Sequence, residues 1–315
     1  MDREIPRAGL RISAIGFGTW PLAGMTSGAV PEQTCIRMIE ACPELGINFL
    51  DTAYGYGLRG ESELLIGKAL AGRAHEYVVA SKAGLEWNEQ GKRIIDGRET
   101  TLRRHCEASL MRLGLERVDL LYLHQPDPGV DIQDSAHGLS KLQQEGKARS
   151  IGLCNCTLAQ LIAFDRVCPV AAVQIPYNML TRDSARELIS WCGAHGVAIC
   201  SYWALMKGLL AGRMSRDQQF VDTDSRRNYD AYRGEAWQQN LDLVDELRTV
   251  AQAAHLTVAQ LVLRWTLHQP GITSVMVGAK NPEQLVENAG ALGDPLSPPV
   301  RSAIERVLQD RVPLQ

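Results

Sequence analysis

The chain has 315 residues, 45% of them hydrophobic and 22% charged, with a formal net charge of −3. This is ordinary globular composition, and the chain is long enough to bury a core without disulfides or metals. Lacking a basic excess, it has no general attraction for nucleic acid or anionic membrane, and no apolar run approaches the roughly 18 residues of a membrane span.

Read in chain order, short apolar runs alternate with amphipathic helical patterns. A predicted strand at 13–18 leads to a helix at 31–45, and a strand at 48–51 to a helix at 61–70. Strands at 77–81 and 118–124 precede helices at 97–113 and 132–145. Strands at 148–153, 172–174 and 197–202 follow, with helices at 157–164 and 184–195 between them. After the seventh strand, 212–237 is polar and breaks the rhythm, as a long functional loop does. A last strand at 274–277 leads to a helix at 282–291, and 295–315 reads as one helix and a tail. Gly46, Gly114, Gly146 and Gly196 stand where helices end, and Thr157 and Asn281 where they begin. Each strand is short and apolar on both faces, as parallel strands covered on both sides are. Eight such units in 1–315, with no linker or fixed-period repeat, predict one domain of α/β class, a (β/α)8 TIM barrel. A doubly wound open sheet is the alternative.

The eight cysteines form no C-x-x-C pair, the closest being Cys154 and Cys156. With no His or second Cys pair at ligand spacing, no metal site is expected. No secretory signal is seen at the N-terminus, so a reduced, cytoplasmic protein is expected.

Barrel enzymes place their chemistry where strands end. The second strand ends in Asp51, followed by Thr52-Ala53-Tyr54-Gly55-Tyr56, the third runs into Lys82, and the fourth ends in His124. These residue types suit carbonyl reduction, in which hydride reaches the carbon and a proton reaches the oxygen. Tyrosine is a weak acid, and a neighbouring ammonium lowers its pKa. Lys82 can supply that charge, Asp51 can hold Lys82, and His124 can donate a hydrogen bond to the developing oxyanion. Taken singly, each has a structural explanation as a cap, a packed ring or a solvated cation. Gly55, Gly57 and Gly60 fit G-x-G-x-x-G, but the strand ends too early and the next strand carries no acid, so they read as loop formers. Val277-Gly278-Ala279-Lys280-Asn281-Pro282, a strand, glycine turn, cation and helix start, suits a dinucleotide phosphate.

The segments IGFGTWPLAG, NFLDTAYGYG with GESE, SKAG, LLYLHQPDP, IGLCN, VQIPYNML, YWALMKGLLAGR and GAKNPEQLVEN together resemble the aldo-keto reductase superfamily over nearly the whole chain. Bacterial-type members and the related potassium-channel β-subunits are the nearest in kind. The resemblance implies a tetrad of Asp51, Tyr56, Lys82 and His124. It implies an extended NADPH or NADP, with NAD as the other candidate. Asn155 and Gln174 would hold the carboxamide, Tyr202 would stack on the nicotinamide, and Leu205, Gly208 and Arg213 would line the pyrophosphate path. Gly278, Lys280, Gln284, Glu287 and Asn288 would hold the adenosine end. Thr19 and Trp20 would border the nicotinamide, and Trp20 and Trp87 the substrate. The chain departs from the family at Cys154 and at Trp203-Ala204-Leu205. Gln284 stands where many members have arginine, so NADP preference would rest on Lys280, with Arg213 and the 212–237 loop. The expected function is NADPH-dependent reduction of a small-molecule aldehyde or ketone by a monomer without nucleic-acid or membrane partners. Other readings are oxidation of a sugar or alcohol in reverse, a cofactor-binding regulatory module of the channel β-subunit type, and a lyase using Lys82 as a Schiff base.

Overall fold

The computed structural model describes residues 1–25, 28–182 and 185–309. An antiparallel hairpin, β1 (Asp2–Ile5) and β2 (Leu10–Ser13), precedes the first barrel strand, β3 (Ile15–Gly18). Then follow α1 (Glu32–Ala41), β4 (Phe49–Asp51), α2 (Glu61–Ala69) and β5 (Val78–Ala83). A second hairpin, β6 (Leu85–Trp87) and β7 (Arg93–Ile95), interrupts the alternation before α3 (Glu99–Leu113). The sequence continues with β8 (Val118–Leu123), α4 (Ile132–Gln144), β9 (Ala148–Cys154), α5 (Leu158–Asp165), β10 (Val170–Pro176) and α6 (Arg186–His195). After β11 (Ala198–Tyr202) come α7 (Gly234–Ala253), α8 (Val258–Leu267), β12 (Ser274–Val277), α9 (Pro282–Ala289) and α10 (Pro298–Gln309).

The strands β3, β4, β5, β8, β9, β10, β11 and β12 close into a parallel barrel, with β12 pairing back onto β3. Closure excludes the open doubly wound sheet. The barrel interior is filled rather than hollow, as this architecture requires. Phe49, Leu120, Tyr122 and Met276 are all buried there, together with Ile5, Leu10 and Ile12 of the first hairpin. Gly152 is required by that packing, because a Cβ there would meet the Tyr122 ring at 2.4 Å.

Local signals place the helix ends. Thr157 and Thr257 each form a capping box with a glutamine three residues on, and Asn281 accepts a hydrogen bond from the Gln284 amide. Gly114 and Gly196 end their helices in left-handed backbone. Several boundaries differ from the sequence expectation. Ser13 belongs to the hairpin rather than to the first barrel strand, and Lys82 lies inside β5 rather than after it. Ser184, the expected start of a helix, and the tail at 310–315 lie outside the described residues. Neither hairpin was expected, and the helices α7 and α8 were not assigned. Among the described residues no helix is long and apolar enough to cross a membrane.

Candidate active site

A cleft of about 890 Å³ lies over the C-terminal ends of the strands, within the usual range for small-molecule sites. At its floor the Lys82 ammonium donates to both oxygens of Asp51, at 2.8 and 2.7 Å, to the Thr52 carbonyl at 2.9 Å and to Tyr56 Oη at 3.1 Å. Lys82 is 1% exposed and Asp51 2%. Burial works to lower the Lys82 pKa, but the Asp51 carboxylate and the other neighbours outweigh it, and the ammonium is held above its ordinary range. Gln174 Nε2 donates to Asp51 Oδ1 at 2.7 Å, so the carboxylate is oriented from two sides.

Tyr56 is packed edge-on against Trp20 and His124, with ring centroids 5.1 and 5.8 Å away. Burial is the largest influence on its hydroxyl and pushes it up to about 12, against the opposing pull of Lys82. The expectation of a lowered Tyr56 pKa therefore holds for the ammonium alone, and desolvation reverses the net sign. His124 is driven well below its ordinary pKa by burial and then by the charges of Lys82 and Arg93. Its Nδ1 is buried without a partner. The buried Nδ1 cannot reach the cleft, so the one N–H of the uncharged ring serves a ligand there only from Nε2, which has no hydrogen-bond partner among the described residues.

The loop carrying Tyr56 is clamped from behind. The Tyr54 ring stacks on His105 at 3.7 Å, and the Arg112 guanidinium lies 4.5 Å from the Tyr54 centroid. Arg112 also pairs with the fully buried Glu63, whose other oxygen accepts from Ser81 Oγ. A chain of hydroxyls links Thr52, Ser62 and Thr19, and Thr19 Oγ1 donates to the Asp51 carbonyl at 2.8 Å. Thr19 is fully buried behind Asp51 and does not line the cleft. Its expected place beside the nicotinamide is thus corrected to a support role, because its hydroxyl is consumed by the strand end. Gly55, Gly57 and Gly60 are loop formers as expected. Gly57 and Gly60 hold φ of +105° and +77°, and a Cβ on Gly55 would meet the Leu85 carbonyl at 2.8 Å.

The structure brings the remaining expected residues to one cleft: Trp20, Trp87, Asn155, Gln174, Tyr202, Leu205, Gly208, Arg213, Gly278, Lys280, Gln284, Glu287 and Asn288 all line it. Asn155 accepts from Tyr202 Oη at 2.6 Å and donates to the His124 carbonyl at 3.0 Å. Asn155, Trp203, Met206 and Lys207 hold left-handed backbone, and such strain clusters at functional sites. Gly278 is needed for close approach, since a Cβ there would strike Pro21 at 2.4 Å. Arg213 is paired with Glu287 at 2.6 Å and is not available for a phosphate in this arrangement.

The segment 212–237 supplies residues that sequence reading missed. It is held by its own aromatic cluster, with Phe220 edge-on to both Tyr232 and Trp237. From it Arg226, Ser225 and Tyr229 reach the cleft. Arg226 is gripped by the buried Asp224, and its charge lowers the Lys280 pKa, second only to burial. The only sequence signal was the loop's polarity. A dinucleotide fits this cleft: the tyrosine, amide and tetrad groups gather at one end, Lys280 and Arg226 at the other, and glycine backbone lies between.

The family model for the aldo/keto reductase family matches residues 14–309. The chain is 30% identical over 312 residues to aldo-keto reductase YhdN of Bacillus subtilis, covering 98% of this chain and 94% of that protein. It is also 30% identical to an NADH-specific methylglyoxal reductase of Escherichia coli, covering 91% and 92%. A solved glycerol dehydrogenase from Gluconobacter oxydans superposes with a TM-score of 0.91 at 32% identity, covering 100% and 97%. An aldo/keto reductase from Klebsiella pneumoniae, in complex with NADP and acetate, gives 0.74 at 27% identity, covering 98% and 94%.

Proposed function

The chain belongs to the aldo/keto reductase family, an NAD(P)H-dependent oxidoreductase of carbonyl and alcohol groups, and from that premise we propose that Tyr56 is its proton donor in reducing a small aldehyde or ketone. The observation that carries this is the 3.1 Å hydrogen bond from Lys82 Nζ to Tyr56 Oη within a buried Asp51–Lys82 pair.

When bound, the nicotinamide supplies a hydride to the carbonyl carbon. Tyr56 Oη gives its proton to the carbonyl oxygen. With a pKa pushed up to about 12, this donor stays loaded throughout the neutral range, and the alkoxide it protonates is a stronger base than the tyrosinate it leaves. Lys82 stabilises that tyrosinate, Asp51 keeps Lys82 charged, and neutral His124 donates a hydrogen bond to the same oxygen. Run backwards, the same groups oxidise an alcohol. Lys82 does not serve as a Schiff-base nucleophile here, because that role needs a neutral amine and its neighbours keep it charged.

Tyr202 and Asn155 would hold the nicotinamide end, Leu205, Gly208 and Gly278 the pyrophosphate path, and Lys280, Gln284 and Asn288 the adenosine end. NADPH is favoured over NADH because Lys280 and Arg226 are cations within each other's field, and a 2′-phosphate between them relieves that repulsion. Comparable affinities for the two in a fluorescence titration would overturn this preference. Residues 1–315 are read as one domain and the protein as a monomer, and its eight free, mostly buried cysteines support a reducing, cytoplasmic setting.

The direct test follows NADPH absorbance with a panel of small aldehydes, wild type beside Tyr56→Phe. Consumption that collapses in the variant supports the assignment, and equal rates in both sink it.

A further inference from the structure

Among the cations that line the cleft, Arg93 stands apart from those near the adenosine end. Arg93 lies on β7, directly opposite Trp87 of β6. Cross-strand partners project from the same face of a ribbon, and both residues line the cleft. Trp87 Nε1 donates to the Gly55 carbonyl at 2.8 Å, which ties this hairpin to the loop carrying Tyr56. Arg93 therefore stands on the tetrad side of the cleft, away from the cations of the adenosine end.

Arg93 is exposed at the cleft edge, and no described protein group pairs with its charge. The Arg93 side chain makes no hydrogen bond or ion pair among the described residues. The two carboxylates lining the cleft are engaged elsewhere, Asp51 with Lys82 and Glu287 with Arg213. Other cations of the cleft have partners: Lys207 donates to Ser225 Oγ at 3.2 Å and lies over the Tyr229 ring, and Arg226 is held by Asp224. The field of Arg93 reaches the reacting end, where it contributes to keeping His124 uncharged. A planar guanidinium is the side chain best matched to carboxylate and phosphate oxygens.

We propose that the preferred substrates are carbonyl compounds bearing an anionic group, a carboxylate or a phosphate, close to the reacting carbonyl, and that Arg93 is the residue that selects them. This rests on the reading of the site as a carbonyl reductase. A merely solvated edge charge would leave substrate preference untouched.

The test compares kcat/KM with NADPH for two matched pairs: 4-oxobutanoate against butanal, and glyceraldehyde 3-phosphate against glyceraldehyde. Wild type is expected to favour the anionic member of at least one pair about tenfold to a hundredfold, the range of a charge-assisted hydrogen bond. The pair that shows the preference tells carboxylate from phosphate. Arg93→Gln brings the ratio to near one, chiefly through KM, Arg93→Lys keeps part of it, and Arg93→Glu inverts it. NADPH titration of each variant confirms an intact fold. A ratio near one in both pairs for wild type, or a preference that survives Arg93→Gln, overturns the proposal and leaves the reductase reading standing. No turnover of any of the four compounds would bring down both together.

Discussion

The two ends of the cleft are built on opposite principles. At the Tyr56 end the charged pair at the centre is buried, and Asp51, Lys82, Gln174 and Thr52 interlock through hydrogen bonds of 2.7 to 2.9 Å. At the Lys280 end the charges sit on a loop and a helix start, where Arg213 is half-exposed and Lys280 partly so. Proton transfer needs a fixed geometry and a defined pKa, which burial in low dielectric provides. Dinucleotide binding needs a surface that can be entered and left, which suits ion pairs near water that exchange partners at little cost.

Breaking the buried end has the largest expected effect. Tyr56→Phe should lower kcat by about 10² to 10⁴ and leave NADPH affinity nearly unchanged, as rate and fluorescence measurements will report. Lys82→Met strands a buried carboxylate, so it should destabilise the fold by about 3–5 kcal/mol in urea denaturation. The double variant Lys82→Met/Asp51→Leu should regain most of that stability and stay inactive, which separates the pair's chemical role from its structural one.

The pH response sharpens the same contrast. Reduction needs protonated Tyr56, whose pKa is raised to about 12, so its rate should stay level through alkaline pH until near that value. Alcohol oxidation needs the tyrosinate and should climb about tenfold per pH unit below it. A plateau of oxidation beginning well below pH 10 would contradict the buried environment of Tyr56. At the exposed end effects should be smaller and confined to affinity. Arg226→Ala should weaken NADPH binding about tenfold with NADH binding little changed, narrowing the difference between the two cofactors.

Much of this protein was legible before its structure. The alternation of short two-sided apolar strands with capped helices specified the barrel, because periodicity and capping are local properties of the chain. The strand-end polar residues Asp51, Lys82 and His124 were visible because an apolar run that stops in a charged or ring side chain marks the rim. What the tertiary structure decided was every question of sign and proximity. Burial, not the neighbouring ammonium, sets the direction of the Tyr56 pKa. Thr19 turns behind Asp51 rather than into the cleft. Arg226 meets Lys280, and Arg93 comes to the tetrad side, through a loop and a hairpin whose local sequences carry no periodic signal. Desolvation and long-range contact depend on which distant segments close over a residue, and no window of neighbouring residues encodes that.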